Sequence, residues 1–261
     1  MEIFMYFDGF LCASLSSEIE RRLKFSSSFK DPAQYRFVES VDGRKWTVED
    51  ADKLVSEEFK LLREKEREKG RKWVNEAAVA CTITHRDKLL KEAAERECFL
   101  CEDDVVIDSS FIKHWQCKTV RSKLSGLNGL VLGCYSSHKK IEVSSKSLLS
   151  FGKFGVYEVL SRKIYSAACY FLPPPLAESV ILHQTPVKCI SDQWDDIRQH
   201  VSFPIFVIHP APASFVAFSS NIGYGNFRVT SNSLLWRSIR RINRSVNSNH
   251  FVNKVIFKSC V

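Results

Sequence analysis

The segment CFLCEDD at residues 98–104 joins a short apolar run to three consecutive carboxylates. An apolar run of this length, bounded by polar residues, is typical of a buried β-strand. The carboxylates repel one another, which is costly at the end of a buried strand unless a cation neutralises them. Strand side chains alternate between two faces, which predicts that Glu102 and Asp104 point one way and Asp103 the other. We therefore expect Glu102 and Asp104 to bind Mn²⁺ or Mg²⁺, which prefer oxygen ligands.

The acidic residues of this segment also allow a second interpretation. They could cap the helix that follows or simply face water, and the tripeptide alone does not separate that possibility from a metal site. The interpretation depends on which other residues the fold brings to the end of the strand.

The two cysteines of the segment form a Cys-x-x-Cys pattern, which could suggest a zinc or redox site. Positions three apart in a strand face opposite sides, and the chain has no second such pair, so Cys98 and Cys101 are expected to be separate buried thiols. The nine cysteines of the chain lack matched spacings, a pattern typical of reduced thiols rather than disulfides. We expect a reducing, cytoplasmic compartment.

Strand and helix patterns alternate along the chain, which favours an α/β fold with a mixed sheet flanked by helices. The predicted strands are residues 3–7, 35–41, 98–101, 129–134 and 204–208. A helical repeat of apolar residues covers 75–95, and another helix is expected to start near Ser161 and to stop at the prolines 173–175. The predicted organisation is one domain over 1–225 followed by a basic helical segment over 226–261.

The charge of the chain indicates anionic partners. It has 261 residues, 44% of them hydrophobic, which is enough to bury a full core. A net charge of +8 should attract phosphates, nucleic acid or acidic lipid headgroups. The N-terminus has no basic leader, and prolines interrupt the apolar stretch 201–218, so neither a signal segment nor a spanning helix is expected.

The C-terminal part of the chain is rich in arginine. Residues 234–246 combine apolar residues at helical spacing with arginines between them. An amphipathic basic helix of this kind suits an anionic membrane surface, which would place the protein at the cytoplasmic face of the inner membrane. The alternative is a terminal helix that docks on the domain with a solvated basic face. No nucleic-acid recognition motif is found, so nucleic acid is not expected as a partner.

Two motifs stand about one helix apart in this chain. Residues 80–85 read ACTITH, and residues 99–105 read FLCEDDV. Their order resembles glycosyltransferase family 25, which shows a Gly-Cys-x-x-Ser-His helix and then a hydrophobic strand ending in Glu-Asp-Asp. Weaker similarities lie at residues 21–22, 41–43, 155–157, 192–194 and 220–223. Here Ala80 and Thr84 replace the family's glycine and serine.

The resemblance implies an inverting glycosyltransferase of the A-type (GT-A) fold. Such an enzyme would move a hexose, galactose or glucose, from a UDP-sugar to a glycan or glycolipid acceptor, as in lipopolysaccharide or lipooligosaccharide core synthesis. The ligands of its Mn²⁺ or Mg²⁺ ion would be Glu102, Asp104 and His209. The residues that contact the donor would be Arg22, Thr84, His85 and Asp103.

The same resemblance points to a general base in the acidic cluster of residues 192–196. An inverting displacement needs a group that takes the proton of the acceptor hydroxyl. Asp192 matches the family's later aspartate. A helix beginning at Asp192 would place Asp196 nearly above it, one turn on, so Asp196 is the main competitor. The other interpretation is a helix N-cap with acidic residues in the first turn and no catalytic role.

Three other functions remain open at this stage. A basic nucleic-acid-binding protein would use the arginine-rich tail. A metal-dependent phosphohydrolase could use the acidic motif, although it would normally need a second carboxylate cluster for a second ion. The departures from the family pattern also leave room for an inactive glycosyltransferase homologue.

Overall fold

The computed structural model describes residues 8–136, 141–161, 164–216 and 255–258 of the chain. Its strands, in chain order, are β1 (Phe10–Ser14), β2 (Tyr35–Glu39), β3 (Phe99–Glu102), β4 (Val105–Ile107), β5 (Leu130–Ser136), β6 (Ile141–Ser144), β7 (Leu149–Phe151), β8 (Phe154–Glu158), β9 (Tyr165–Phe171), β10 (Ile205–His209), β11 (Ala213–Phe215) and β12 (Val255–Lys258).

Helices lie between β1 and β2, β2 and β3, β4 and β5, and β9 and β10. The described α-helices are α1 (Ile19–Ser26), α2 (Val48–Asp52), α3 (Glu57–Glu68), α4 (Glu76–Thr84), α5 (Lys91–Glu95), α6 (Ser109–Trp115), α7 (Lys118–Ser125), α8 (Pro174–His183) and α9 (Trp194–Val201). A π-helical segment, His85–Leu90, joins α4 to α5. None of the helices in the described ranges has the length and apolar character that crossing a membrane requires.

The main sheet is mixed. Over the described residues it has eight strands in the order β2-β1-β3-β9-β5-β10-β8-β7. β1 is parallel to both β2 and β3, whereas β9 is antiparallel to both β3 and β5. β10 is parallel to β5, and the antiparallel strands β8 and β7 complete the edge. The predicted α/β fold with a mixed sheet flanked by helices is confirmed.

The strand at the centre of the sequence argument, β3, is buried on both of its faces. Phe99 and Cys101 pack into an aromatic-rich layer, and Cys98 and Leu100 pack into the layer on the other side of the sheet. Burial on both faces explains why this run is continuously apolar rather than alternating. The two thiols are free and buried on opposite sides, as predicted.

The helix predicted over residues 75–95 is confirmed, with a detail that the sequence did not indicate. The side chain of Asn75 caps its first turn by accepting a hydrogen bond from the backbone N–H of Ala78 at 2.9 Å. The chain then runs through α4, the π-helical segment and α5. Such π segments widen a helix locally and occur frequently at functional sites.

Four of the five predicted strands are confirmed to within two residues. They correspond to β2, β3, β5 and β10. The fifth, residues 3–7, lies outside the described residues, as do the predicted basic helix 234–246 and the predicted domain boundary after residue 225.

The helix predicted to start near Ser161 is wrong. The chain forms β9 there, with six of its seven residues buried. A strand buried in the middle of a sheet lacks the polar–apolar alternation by which strands are recognised, so its pattern resembled a buried helix. The prolines at 173–175 begin α8 rather than end a helix, because proline fits the first turn, where its missing N–H leaves no bond unmade.

Candidate functional site

A pocket lies at the carboxyl ends of β1, β2 and β3. From β1 the chain passes through α1 to β2 on one side, and β3 lies on the other side of β1. In open α/β sheets, ligands bind outside the carboxyl ends of the strands where the strand order reverses in this way. Ser14 ends β1 and Glu102 ends β3, and both line the pocket.

The acidic motif lies on the wall of this pocket. β3 ends at Glu102, and Asp103 and Asp104 form the turn into β4. Strand alternation therefore stops before the last two carboxylates, and all three acidic residues line the same pocket. The prediction that Asp103 points away from its neighbours is wrong for this reason.

Asp103 is held by two neighbours within the protein. Its carboxylate accepts a 2.6 Å hydrogen bond from Ser14 Oγ and forms an ion pair with the guanidinium of Arg21 on α1. The side chain is buried, and burial raises the pKa of Asp103, against the opposing effects of Ser14 and Arg21. The ion pair holds the positively charged guanidinium of Arg21 in the pocket.

Asp104 is less well satisfied. Its Oδ1 is buried and has no hydrogen-bond partner among the described residues, and its Oδ2 lies 3.8 Å from Arg21 Nη2. Burial, followed by the repulsion of the Glu102 carboxylate, raises the pKa of Asp104 to about 7. A crowded carboxylate with an unmatched buried oxygen suits a bound divalent cation with oxygen ligands.

A second group of side chains meets the acidic motif from α4. Cys81 and His85 stand one helical turn apart, and their Sγ and Nε2 atoms lie 3.8 and 3.2 Å from Glu102 Oε1. His85 Nδ1 lies 2.9 Å from the hydroxyl of the buried Tyr170. Burial, and then Glu102, raises the pKa of the Cys81 thiol well above its ordinary value. Both nitrogens of His85 thus have protein partners at the pocket wall.

The hydroxyl of Thr84 has a role within the fold. It donates to the carbonyl of Ala80 at 2.9 Å and accepts from the backbone N–H of Val41 at 2.9 Å. These bonds tie the loop after β2 to α4, and both segments line the pocket. The expected donor contact of Thr84 stays a prediction.

Gly43, in the same loop, touches α4 directly. A Cβ placed on Gly43 would lie 2.5 Å from Ala80 Cβ and 2.7 Å from the carbonyl oxygen of Glu76. We expect Gly43→Ala to push the loop off the helix and to lower the free energy of unfolding by about 1–3 kcal/mol. Urea unfolding measures the effect. The control is Gly126→Ala, because the nearest atoms to its added Cβ lie at 3.4 Å or more; equal stability of the two variants would contradict the prediction.

Asp192 approaches the site from the loop before α9. The N-cap of that helix is Gln193 and not Asp192, so the predicted helix start is wrong by one residue. The preceding Ser191 donates its backbone N–H to Thr82 Oγ1 at 3.0 Å, which ties the loop to α4. Asp192 lines a cleft together with Cys81 and Glu102.

The carboxylate of Asp192 is an unusual group in this cleft. Its Oδ1 is buried and has no hydrogen-bond partner within the described part of the chain. Burial, and then the charge of Glu102, raises the pKa of Asp192 to about 6. A carboxylate with a free oxygen and a raised pKa is suited to accept a proton.

Three predicted residues lie elsewhere. Asp196 lies in the first turn of α9 and lines a second cleft, which does not include Asp192 or Glu102. Arg22 donates to the Ser14 carbonyl and pairs with Glu39. His209 lies 3.2 Å from the hydroxyl of Tyr135 and is not among the residues that line the acidic pocket.

Arg21 is a pocket residue that the sequence patterns did not single out. The family resemblance includes both arginines at residues 21–22. Which of them faces the acidic motif depends on how α1 is rotated against the sheet, and the sequence does not give that rotation. Arg21 lines the pocket and contacts both Asp103 and Asp104.

Comparison with known proteins adds no further constraint. The sequence matches no protein-family model and no curated protein. The resemblance to family 25 therefore rests on the motifs quoted above.

Proposed function

We propose that this protein is a metal-dependent inverting glycosyltransferase that moves a hexose from a UDP-sugar to a glycan or glycolipid acceptor. The observation that carries the proposal is the placement of the acidic motif at the carboxyl ends of β1 and β3, with Asp192 nearby. The crevice at this end of an α/β sheet is where nucleotides bind in many unrelated enzymes.

The charges of the pocket fit a nucleotide-sugar donor. Glu102 and Asp104 would hold a divalent ion, which neutralises the charge that develops on the departing diphosphate. Arg21 adds a positive charge on the same wall and positions Asp103. A buried, paired Asp103 can accept a hydrogen bond from a ribose or sugar hydroxyl without moving.

The acceptor side of the pocket needs a base. In a single displacement the acceptor oxygen attacks the anomeric carbon, the bond to the diphosphate breaks, and the acceptor proton must go to a neighbouring group. We assign that role to Asp192, because its Oδ1 lacks a hydrogen-bond partner and because it lines the cleft that includes Glu102.

The topology supports the assignment to the A-type fold. The segment from β1 to β3 is a parallel unit with the acidic motif at the end of its third strand, and the antiparallel β9 follows beside it. Asp192 follows later in the chain, in the loop before α9, and lines a cleft with Glu102.

Donor binding tests the proposal. UDP with Mn²⁺ should raise the Tm of the protein, since a ligand that binds the folded state stabilises it. Asp104→Asn should weaken Mn²⁺-dependent UDP binding at least about tenfold, while the metal-free Tm stays the same or rises because removing one negative charge relieves repulsion in the empty pocket. Isothermal titration calorimetry measures the affinity.

The control for Asp104→Asn is Glu64→Gln, which removes one charge from an exposed position on α3 outside the pocket. It should bind UDP and Mn²⁺ like the parent protein. A screen of UDP-sugars for transfer or hydrolysis then identifies the sugar. Cleavage of simple phosphate esters without any binding of UDP would favour the phosphohydrolase instead, and stabilisation by nucleic acid but not by UDP would favour the nucleic-acid-binding protein.

A further inference from the structure

Three potential metal ligands of different chemistry converge beside the acidic motif. Cys81 Sγ, His85 Nε2 and a carboxylate oxygen of Glu102 all lie within 4.8 Å of one another. Cys81 and His85 are four residues apart, so they share one face of the helix, and Glu102 ends the neighbouring strand β3. Two separate elements of the fold therefore present their side chains to one point.

Two of the three distances between these atoms are close to those between ligands of a single ion. Zinc bonds of about 2.0–2.3 Å in a tetrahedron place neighbouring ligand atoms about 3.3–3.7 Å apart. The structure has 3.2 Å between His85 Nε2 and Glu102 Oε1, and 3.8 Å between Cys81 Sγ and the same oxygen. To bind a zinc ion, these two distances between ligand atoms would have to change by only a few tenths of an ångström.

We propose that Cys81, His85 and Glu102 bind a Zn²⁺ ion. Thiolate and imidazole ligands select zinc over magnesium and manganese, which prefer oxygen. Three protein ligands leave a fourth position for water or another molecule. This inference goes beyond the proposed glycosyl transfer and does not depend on it, because it concerns the binding of a metal alone.

The surroundings of His85 support a metal ligand. A metal-bound histidine usually has its second nitrogen fixed by a hydrogen bond, and the Tyr170 hydroxyl lies 2.9 Å from His85 Nδ1. The rings of His85 and Tyr170 are also stacked, at a centroid distance of 5.7 Å. His85 begins the π-helical segment, so the helix widens at the position where its side chain meets Glu102.

The cluster is open to an entering ion. Cys81 is half-buried and lines both the pocket with the acidic motif and the cleft with Asp192. The contacts from Cys81 and His85 both use Glu102 Oε1, which leaves Oε2 for a second ion. A zinc ion in this cluster and a manganese ion beside it can therefore share one carboxylate.

Metal titration of the whole protein tests the zinc site. The metal-free protein should bind one Zn²⁺ per chain, and Co²⁺ in its place should give the thiolate-to-cobalt charge-transfer absorption that a cysteine ligand produces. Cys81→Ser should abolish this absorption, and Glu102→Gln should weaken Zn²⁺ binding about 10–100-fold. Tyr170→Phe should also weaken it, about tenfold, because the outer partner of the histidine is lost. The control is Cys117→Ser, which replaces an exposed thiol outside the cluster.

A measurement on the unmodified protein guards against variants that fail to fold. Bound Zn²⁺ should slow the alkylation of Cys81 by iodoacetamide, followed by peptide mass spectrometry, without changing the alkylation of Cys117. Absence of stoichiometric Zn²⁺ binding, or a charge-transfer band that survives in a folded Cys81→Ser variant, would overturn the inference. Neither result bears on UDP binding with Mn²⁺, so the failure of one proposal is distinguishable from the failure of the other.

Discussion

Asp192→Asn is expected to lower the rate of glycosyl transfer by about 10²–10⁴-fold while the affinity for UDP-sugar and metal stays the same. An amide cannot accept the acceptor proton, but it keeps the size of the carboxylate. Asp192 is the residue in the cleft with an unpartnered buried oxygen and a pKa raised to about 6, first by burial and then by Glu102. Initial rates with saturating donor measure the rate of transfer, and calorimetry measures the affinity for the donor.

The comparison with Asp196→Asn makes this test specific. Asp196 is four residues further along the chain and lines a different cleft, so its loss should leave the rate within about twofold of that of the parent protein. Equal activity of Asp192→Asn and the parent would remove Asp192 from the mechanism. A larger loss in Asp196→Asn would mean that the acceptor binds in the other cleft.

Arg63→Met is expected to lower the free energy of unfolding by about 3–5 kcal/mol. The Arg63 side chain is 1% exposed, although it lies in a nearly continuous run of charged residues. It pairs with Asp52 on α2 and with Glu76 on α4, and its Nε donates to the carbonyl of Val74 at 2.9 Å. Methionine fills much of the volume but leaves two carboxylates and a carbonyl without their partner.

Arg67→Met is the matched control for this prediction. Arg67 lies one turn further along α3 and is exposed, so the same change of charge and shape should alter stability by less than about 0.5 kcal/mol. Urea unfolding of the three proteins measures the difference. Similar midpoints for the two variants would show that the Arg63 network contributes nothing beyond a surface ion pair.

The stability of this network also bears on the pocket. Arg63 connects α2 and α3 to the first turn of α4, which carries Cys81 and continues into the π-helical segment that begins at His85. A variant that loosens the start of α4 should therefore weaken donor binding as well as stability. The acidic motif itself, at the end of β3, lies outside the Arg63 network.

Local patterns in the sequence determined the elements that carry the site. The apolar run of β3 predicted a strand with Cys98 and Cys101 on opposite faces, and the repeat over residues 75–95 predicted the helix. Both features depend on which residues within a short stretch of chain are buried. The order of apolar and polar residues in that stretch indicates the burial directly. The acidic motif at the end of the strand could be recognised for the same reason.

Tertiary structure alone decided which charged groups act together. It placed Arg21 rather than Arg22 in the pocket with the acidic motif, placed Asp192 rather than Asp196 in the cleft with Glu102, and buried Arg63 within a charged run. These pairs are indistinguishable by residue type. The choice depends on how each helix or loop is rotated and docked against the sheet, which results from contacts between residues far apart in the chain and leaves no periodic trace in the sequence.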